Sequence, residues 1–313
     1  MKKIVYVTGC LGFIGIHVTR LCLNEGWYVI GVDKLTYASN LNFLPEFTAN
    51  PNFKFIESDI NDLERLHDCD YVINTAAETH VDNSIVSSDV FLKSNVNGVH
   101  HLLELIKQKS GFKMPVLLHF STDEVYGDIE EGSHSETDLL RPSNPYSATK
   151  AAADMLVLAW ARTFKIPYVI VRPTNNYGIG QYVEKLIPKT IKYLTIDRKV
   201  DLHDKGLPVR TWLHAEDTAN AVITIINSGV VNEIYNISGN FETQNINVVR
   251  KIIKLSNGDN NIEKYINDIE RAGQDVRYSI DDRKLKSLGW KPMADFDKEI
   301  KKIVKYYKQN FVW

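Results

Sequence analysis

The chain has 313 residues, 44% of them hydrophobic, and 37 Lys+Arg against 39 Asp+Glu leave a formal net charge of −2. That near-balance excludes the broad basic footprint of a nucleic-acid binder. No apolar run reaches the roughly 18 residues that a bilayer span requires, so no membrane segment is expected.

In chain order, 4–7 reads as a strand and 12–24 as a helix. Further strands are expected at 27–32, 53–56, 71–74, 116–120 and 168–171. Runs this short, apolar on both faces, suit a parallel sheet buried between helix layers. Between them, 88–107 carries apolar residues at 91, 92, 96, 99, 102, 103 and 106, which is one helical face. A second long helix at 147–163 stops before Pro167. The alternation predicts an α/β fold with a doubly wound parallel sheet of the Rossmann type. After Arg172-Pro173 it weakens into loops at 174–180 and 204–208, a helix at 217–227, a strand at 234–237, a polar turn at 256–261 and a closing helix at 297–307. Residues 1–173 with 211–237 are expected to form the sheet domain, and 174–210 with 238–313 a smaller lobe capping it. The N-terminus enters its strand without a small-residue cleavage site, so no signal peptide is expected. Cys10, Cys22 and Cys69 fit neither a disulfide framework nor a zinc knuckle, and the nine histidines show no ligand spacing. A soluble cytoplasmic protein without a metal is the expectation.

Gly9-Cys10-Leu11-Gly12-Phe13-Ile14-Gly15 lies between the first strand and the first helix. A tight turn there needs positive φ, and a side chain would bar a pyrophosphate from the amides at the helix start. Asp33 follows the second strand, where a carboxylate accepts hydrogen bonds from both adenosine ribose hydroxyls and favours NAD over NADP. Lys34 beside it would tolerate a 2′-phosphate. Asp59 and Ile60 are expected near the adenine, and Ala76 and Ala77 along the cofactor.

Tyr146 and Lys150 stand four residues apart and therefore share a helix face. A free phenol, with a pKa of about 10, is a poor base near neutrality. A nearby cation favours the phenolate and would let Tyr146 take a proton from an alcohol as hydride leaves its carbon. Asp123 and Glu124 leave the C-terminal end of the fifth strand, the edge at which open parallel sheets bind ligands. Two adjacent acids in different environments can divide labour, one protonated and donating, one ionised and accepting. A solvated acidic loop is the bland alternative.

Together with Asp33–Tyr37, Ala76–Asp82, Asn175-Asn176-Tyr177-Gly178 and Glu184–Pro188, these segments make the whole chain resemble dTDP-glucose 4,6-dehydratase and its UDP-sugar relatives, extended short-chain dehydrogenases. The resemblance implies bound NAD, a UDP- or dTDP-hexose substrate, and a homodimer formed through 88–107 and 147–163. It implies that Tyr146, helped by Thr122 and Lys150, removes the C4 hydroxyl proton, that Glu124 abstracts the C5 hydrogen, and that Asp123 protonates the departing C6 hydroxyl. Ser94 and Asn176 join the implied cofactor contacts. Thr79, Thr122, Asn175, Glu184 and Lys185 are implied on the sugar side, Arg210 and Asn245 on the diphosphate, and Arg271 and Gln274 over the nucleotide. Thr79, Tyr182-Val183 and Gln274 depart from the family's usual Ser, Phe-Pro and His, which leaves uridine or thymidine, the C2 substituent and the face of C5 reprotonation open. A UDP-N-acetylglucosamine 4,6-dehydratase that inverts C5 is the alternative, and a 4-epimerase or decarboxylase a remoter one that Asp123 disfavours.

Overall fold

The structure, a computed structural model, describes residues 2–109, 113–259, 261–270 and 275–310. Its strands are Ile4–Thr8 (β1), Tyr28–Asp33 (β2), Phe53–Glu57 (β3), Tyr71–Asn74 (β4), Val116–Phe120 (β5), Tyr168–Pro173 (β6), Asn175–Tyr177 (β7), Val200–His203 (β8), Val209–His214 (β9), Glu233–Ile237 (β10), Phe241–Gln244 (β11) and Ile266–Ile269 (β12). Seven of them form one parallel sheet in the order β10-β6-β5-β4-β1-β2-β3. Neighbouring residues on a strand point to opposite faces. Val5, Val7, Leu118, Phe120, Val169 and Val171 accordingly enter one apolar cluster, while Tyr6, Leu117 and Ile170 enter another. The first cluster is completed by Phe13–Asn24 (α1), through Ile16, Val18 and Cys22. The second is completed by a helix running from Asp89 to Lys107 (α2) and by Pro145–Phe164 (α3).

Local chemistry fixes where α3 begins. Asn144 caps it by accepting from the Ser147 amide at 2.9 Å, the Ser147 hydroxyl faces back to the Asn144 amide at 3.3 Å, and Pro145 occupies the first turn. At the other end Lys165 adopts φ 60°, two residues before Pro167. Helix α2 departs from the regular α-helix that its apolar spacing predicts, because Leu92–Asn97 winds as a π-helix. The wider turn leaves Leu92 exposed rather than in the apolar face and buries Ser94 and Asn95. The Asn95 amide then bridges the Glu78 backbone, at 2.9 and 3.0 Å, and the Thr149 hydroxyl at 3.0 Å.

The second half holds more regular structure than its loops suggest. Segment 174–180 contains β7, which pairs with β9; β9 in turn pairs antiparallel with β11, and β8 pairs with β12. Leu186–Thr195 (α4), Ala215–Ser228 (α5), Asn245–Asn257 (α6) and Phe296–Tyr307 (α7) are helices. Ile187 and Ile191 of α4, Val248 and Ile252 of α6, and Ile300 and Ile303 of α7 converge on Tyr177 and Trp212. Residues 211–214 therefore belong to the small sheet rather than to the large one; the chain returns to the large sheet through α5, whose Ala219, Val222 and Ile226 pack in the α1 cluster, and β10. The expected turn at 256–261 opens at Gly258, the left-handed cap of α6, and its residue 260 lies outside the described residues. Among the described residues no helix is long and apolar enough to cross a membrane, and no group of three or more His, Cys, Asp or Glu side chains is placed to hold a metal ion.

Candidate active site

The strand order reverses direction at β1 and β4, and ligands of such sheets bind in the crevice beyond that point. Gly9 turns the chain there at φ 68°, and a Cβ on it would stand 2.8 Å from the backbone of Ala76. A Cβ on Gly15 would stand 1.9 Å from the Gly9 carbonyl oxygen, so the first turn of α1 rests directly on the loop. Helix α1 starts at Gly12 without a side-chain cap. Asp33 is buried; its Oδ2 accepts from the Leu11 amide at 3.0 Å and its Oδ1 from the Leu35 amide at 2.9 Å and the Ser39 hydroxyl at 2.7 Å. These groups line a cleft of about 550 Å³ that brings together Gly9, Gly12, Asp33, Lys34, Asp59, Ile60, Ala76, Ala77 and Ser94. Lys34 faces the Asp59 carboxylate at 3.4 Å. Phe13, Ile14 and Gly15 form the start of α1, with Gly15 packed on the Gly9 loop. Phe13, Ile14, Gly15, Tyr146, Lys150 and Asn176, also expected on the cofactor, are not among the residues that line this cleft. Asn176 Oδ1 accepts from the Thr218 hydroxyl at 2.5 Å and its Nδ2 donates to the Thr174 carbonyl at 2.9 Å, so its amide is used inside the fold and does not line the cleft. Thr36 and Glu78, from segments that carry the family resemblance, line the cleft too, as do Ser39 and Ser58, which the sequence did not single out.

Beyond β5 the chain curls into a 3-10 turn, Asp123–Tyr126, capped by Thr122, whose hydroxyl accepts from the Glu124 amide at 3.3 Å. This curl lets the two adjacent acids serve one region, which an extended strand would prevent. Asp123 is 3% exposed; the Thr122 hydroxyl donates to its Oδ1 at 3.2 Å, and its Oδ2 has no hydrogen-bond partner. Burial, and after it the charge of Glu124, pushes the Asp123 carboxyl up to about 7. Glu124 is half-buried and raised mainly by burial, against the pull of Arg210; its Oε2 accepts from the Asn144 amide at 3.4 Å, so the residue that caps α3 also touches this acid. Tyr146, the second residue of α3, is buried; burial and the charges of Glu124 and Asp123 push its phenol up, and a hydrogen bond with Thr122 opposes them. Lys150 is buried one turn later. Its Nζ donates to the Phe120 carbonyl at 2.5 Å.

A second cavity of about 990 Å³ opens next to Glu124 and brings together Thr79, Asn175, Glu184, Lys185, Arg210 and Asn245. Lys185 Nζ donates to the Thr79 carbonyl at 3.0 Å and hydroxyl at 3.1 Å and lies 3.6 Å from Glu184. Arg210 sits 4.4 Å over the Tyr278 ring and donates to the Val209 and Asp275 carbonyls at 2.8 and 3.2 Å, while the buried Asn245 Oδ1 has no partner. Arg271 and Gln274 lie outside the described residues. Asp82, Lys189, His203, Trp212 and Tyr278 also line this cavity. Only Asp82 falls in a segment whose sequence drew attention; the others carry no local signal.

The sequence profile of the family described as GDP-mannose 4,6 dehydratase matches residues 6–303. The chain belongs to this family. The dTDP-glucose 4,6-dehydratase of Haemophilus influenzae is 38% identical, over 98% of each chain. The trifunctional UDP-glucose 4,6-dehydratase RHM2 of Arabidopsis thaliana is 40% identical over 99% of this chain, which spans 48% of that larger protein. The crystal structure of DesIV, the dTDP-glucose 4,6-dehydratase of Streptomyces venezuelae, superposes with a TM-score of 0.92 at 35% identity, covering 98% of this chain and 97% of that one, and it holds NAD.

The first cleft fits the same kind of group. A Cβ would fill the cradle at Gly9 and Gly15, the uncapped start of α1 presents free amide donors and a positive helix end to a pyrophosphate, and the Asp33 carboxylate lies at the edge where an adenosine ribose would end. Lys34 is already faced by Asp59, which weakens its claim on a 2′-phosphate and supports NAD.

Proposed function

We propose that this chain converts a UDP- or dTDP-activated hexose to its 4-keto-6-deoxy derivative. The observation that carries the reading is Asp123: a buried carboxyl raised to about 7, with one oxygen unbonded, beside a second acid that lines the cavity shared by Thr79, Lys185, Arg210 and Asn245. An epimerisation needs no such acid, because no hydroxyl leaves. NAD, when bound, supplies the hydride acceptor at C4 and the hydride that returns to C6. The protein's own groups move the protons. Tyr146, oriented by Thr122, accepts the C4 hydroxyl proton. The new carbonyl acidifies the C5 hydrogen, and ionised Glu124, with Arg210 favouring its charge, takes it. Asp123 gives its proton to the C6 oxygen, and water leaves across C5–C6. A proton then returns to C5. Arg210 and Asn245 are assigned to the diphosphate, where a guanidinium fork suits phosphate oxygens. Thr79, Asn175, Glu184 and Lys185 are assigned to the sugar side.

The decisive experiment offers dTDP-glucose, UDP-glucose and UDP-N-acetylglucosamine to the enzyme in deuterated water and reads the product by NMR. The expected result is a 4-keto-6-deoxy sugar carrying deuterium at C5, with couplings that report retention or inversion there. A C4-epimerised product that keeps its C6 hydroxyl overturns the reading. The preferred sugar among the three decides between glucose and its acetamido relative.

A homodimer is part of the proposal. Ala148, Ala152, Met155 and Ala159 form an exposed stripe along α3, and Val86, Val90 and Leu92 are exposed in and before α2. Small and apolar residues on neighbouring helices favour close packing against a second copy. Met155→Glu is expected to convert the dimer to a monomer in sedimentation; a wild-type chain that sediments as a monomer at micromolar concentration contradicts it. Three buried free thiols suit the reducing cytoplasm as its place of work.

A further inference from the structure

Beneath the reacting centre lies a buried charge cluster that the proton transfers do not use. Asp154, fully buried, stands four residues after Lys150 and eight after Tyr146, so one face of α3 carries all three. Its Oδ2 accepts from Arg172 Nε and Nη2, each at 3.0 Å, and from the Ser121 hydroxyl at 3.0 Å. Arg172, also buried, reaches on through Nη1 to the Tyr126 hydroxyl at 2.7 Å, and that hydroxyl donates to Asn236 Oδ1 at 2.8 Å. Ser121 precedes Thr122, and Tyr126 closes the Asp123–Tyr126 turn. One ion pair therefore holds the catalytic turn at both of its ends. Lys150 hangs from the same strand end through the Phe120 carbonyl.

The charges in this cluster need an anion. Lys150 and Arg172 are both buried cations, and two such charges in a low-dielectric site are costly unless paired. From β5, His119 faces the cluster with Nε2 3.8 Å from Asp154; burial, then the charges of Lys150 and Arg172, hold it neutral. From the turn, Tyr126 faces Arg172, while Asp123 and Glu124 act on the Tyr146 phenol. Burial lowers Lys150 to about 8, and Asp154 is the charge that raises it. Burial pushes Asp154 itself up, and Arg172 pulls it down.

We propose that Asp154, anchored by Arg172, is a positioning residue that keeps Lys150 in its ammonium form and holds the Thr122–Asp123–Glu124 turn in place. The inference rests on the dehydratase reading, and its test is built to separate the two. Asp154→Asn keeps the shape of the side chain and removes its charge. The alkaline limb of kcat/KM for C4 oxidation, followed by the absorbance of reduced nicotinamide, is expected to move to lower pH by about one unit or more, because a lost anion lets Lys150 give up its proton earlier. Asp154→Glu, which keeps the charge, is expected to restore the wild-type limb. A variant that is slower but has an unmoved limb makes Asp154 merely structural and overturns the proposal. Should Asp154→Asn fail to fold, Tyr126→Phe cuts the other arm and leaves every charge in place. A rate about tenfold to a hundredfold lower at unchanged KM supports the clamp; a full rate refutes it. If the wild type dehydrates none of the three sugars, the functional reading fails instead.

Discussion

Asp123→Asn is expected to stop the reaction after C4 oxidation and, at the same time, to make the protein more stable. Both effects come from one cause. Asp123 is buried, its Oδ2 is unbonded, and burial with the Glu124 charge raises it to about 7. Near neutrality a large fraction of the enzyme therefore carries a proton there, ready for the departing C6 hydroxyl. Asparagine has the same shape and no acidic proton to give. Loss of a positioned general acid costs about 10²–10⁴-fold, so water loss is expected to slow by that amount while reduced nicotinamide accumulates on the enzyme. For stability the sign follows from linkage. A carboxyl raised above its ordinary value of 3.8 stabilises fully below about pH 4, and that contribution is lost as pH rises through about 7. At pH 8 the wild type then holds a buried charge at a cost of about 2–4 kcal/mol, which the asparagine variant escapes. Urea unfolding at pH 5 and pH 8 measures this: the variant's advantage is expected to be clearly larger at pH 8 than at pH 5. An equal or lower midpoint at pH 8, or dehydration at the wild-type rate, removes Asp123 from the acid role.

What could be read without the structure was the part whose cause is local. The glycine turn, the β-branched runs and the Tyr146–Lys150 spacing each lie within a few consecutive residues, and a parallel sheet follows from strands apolar on both faces. Asp33 was legible because a strand end fixes its position relative to the turn. The second cavity was legible only in pieces. Glu124, Lys185, His203, Arg210, Asn245 and Tyr278 come from separate elements, and no spacing links them. His203 and Tyr278 are ordinary residues until β8 and the strand-like segment beside β9 bring them to the cavity. Asn176 shows the reverse case: it sits in a segment of the right sequence, yet Thr218, 42 residues away, takes up its amide. The π-helix in α2 was hidden because its apolar residues still fit one face of a regular helix; only the Asn95 contacts with Glu78 and Thr149 explain the extra residue in the turn. The bond from Lys150 to Phe120 depends likewise on how α3 docks against β5.

Tyr146→Phe is expected to block the reaction one step earlier than the Asp123 variant. Burial, Glu124 and Asp123 push the phenol above its ordinary value, so the base form depends on the groups that oppose them. The Thr122 hydrogen bond favours its ionised form, the form that accepts the C4 hydroxyl proton and becomes the neutral phenol. Phenylalanine fills the same space against Phe91, whose ring lies 6.5 Å from that of Tyr146, and removes the acceptor. C4 oxidation is expected to fall by about 10²–10⁴-fold, with nucleotide-sugar binding measured by calorimetry nearly unchanged. Because a raised phenol differs between folded and unfolded chains only above about pH 10, the pH dependence of stability between 6 and 8 is expected to match the wild type, unlike that of Asp123→Asn. The two variants thus cut the reaction on either side of the C4 ketone: reduced nicotinamide builds up in one and never forms in the other. If Tyr146→Phe reduces the cofactor at the wild-type rate, the base at C4 is another group, and Thr122, whose hydroxyl is in hydrogen-bond contact with the phenol, becomes the residue to change next.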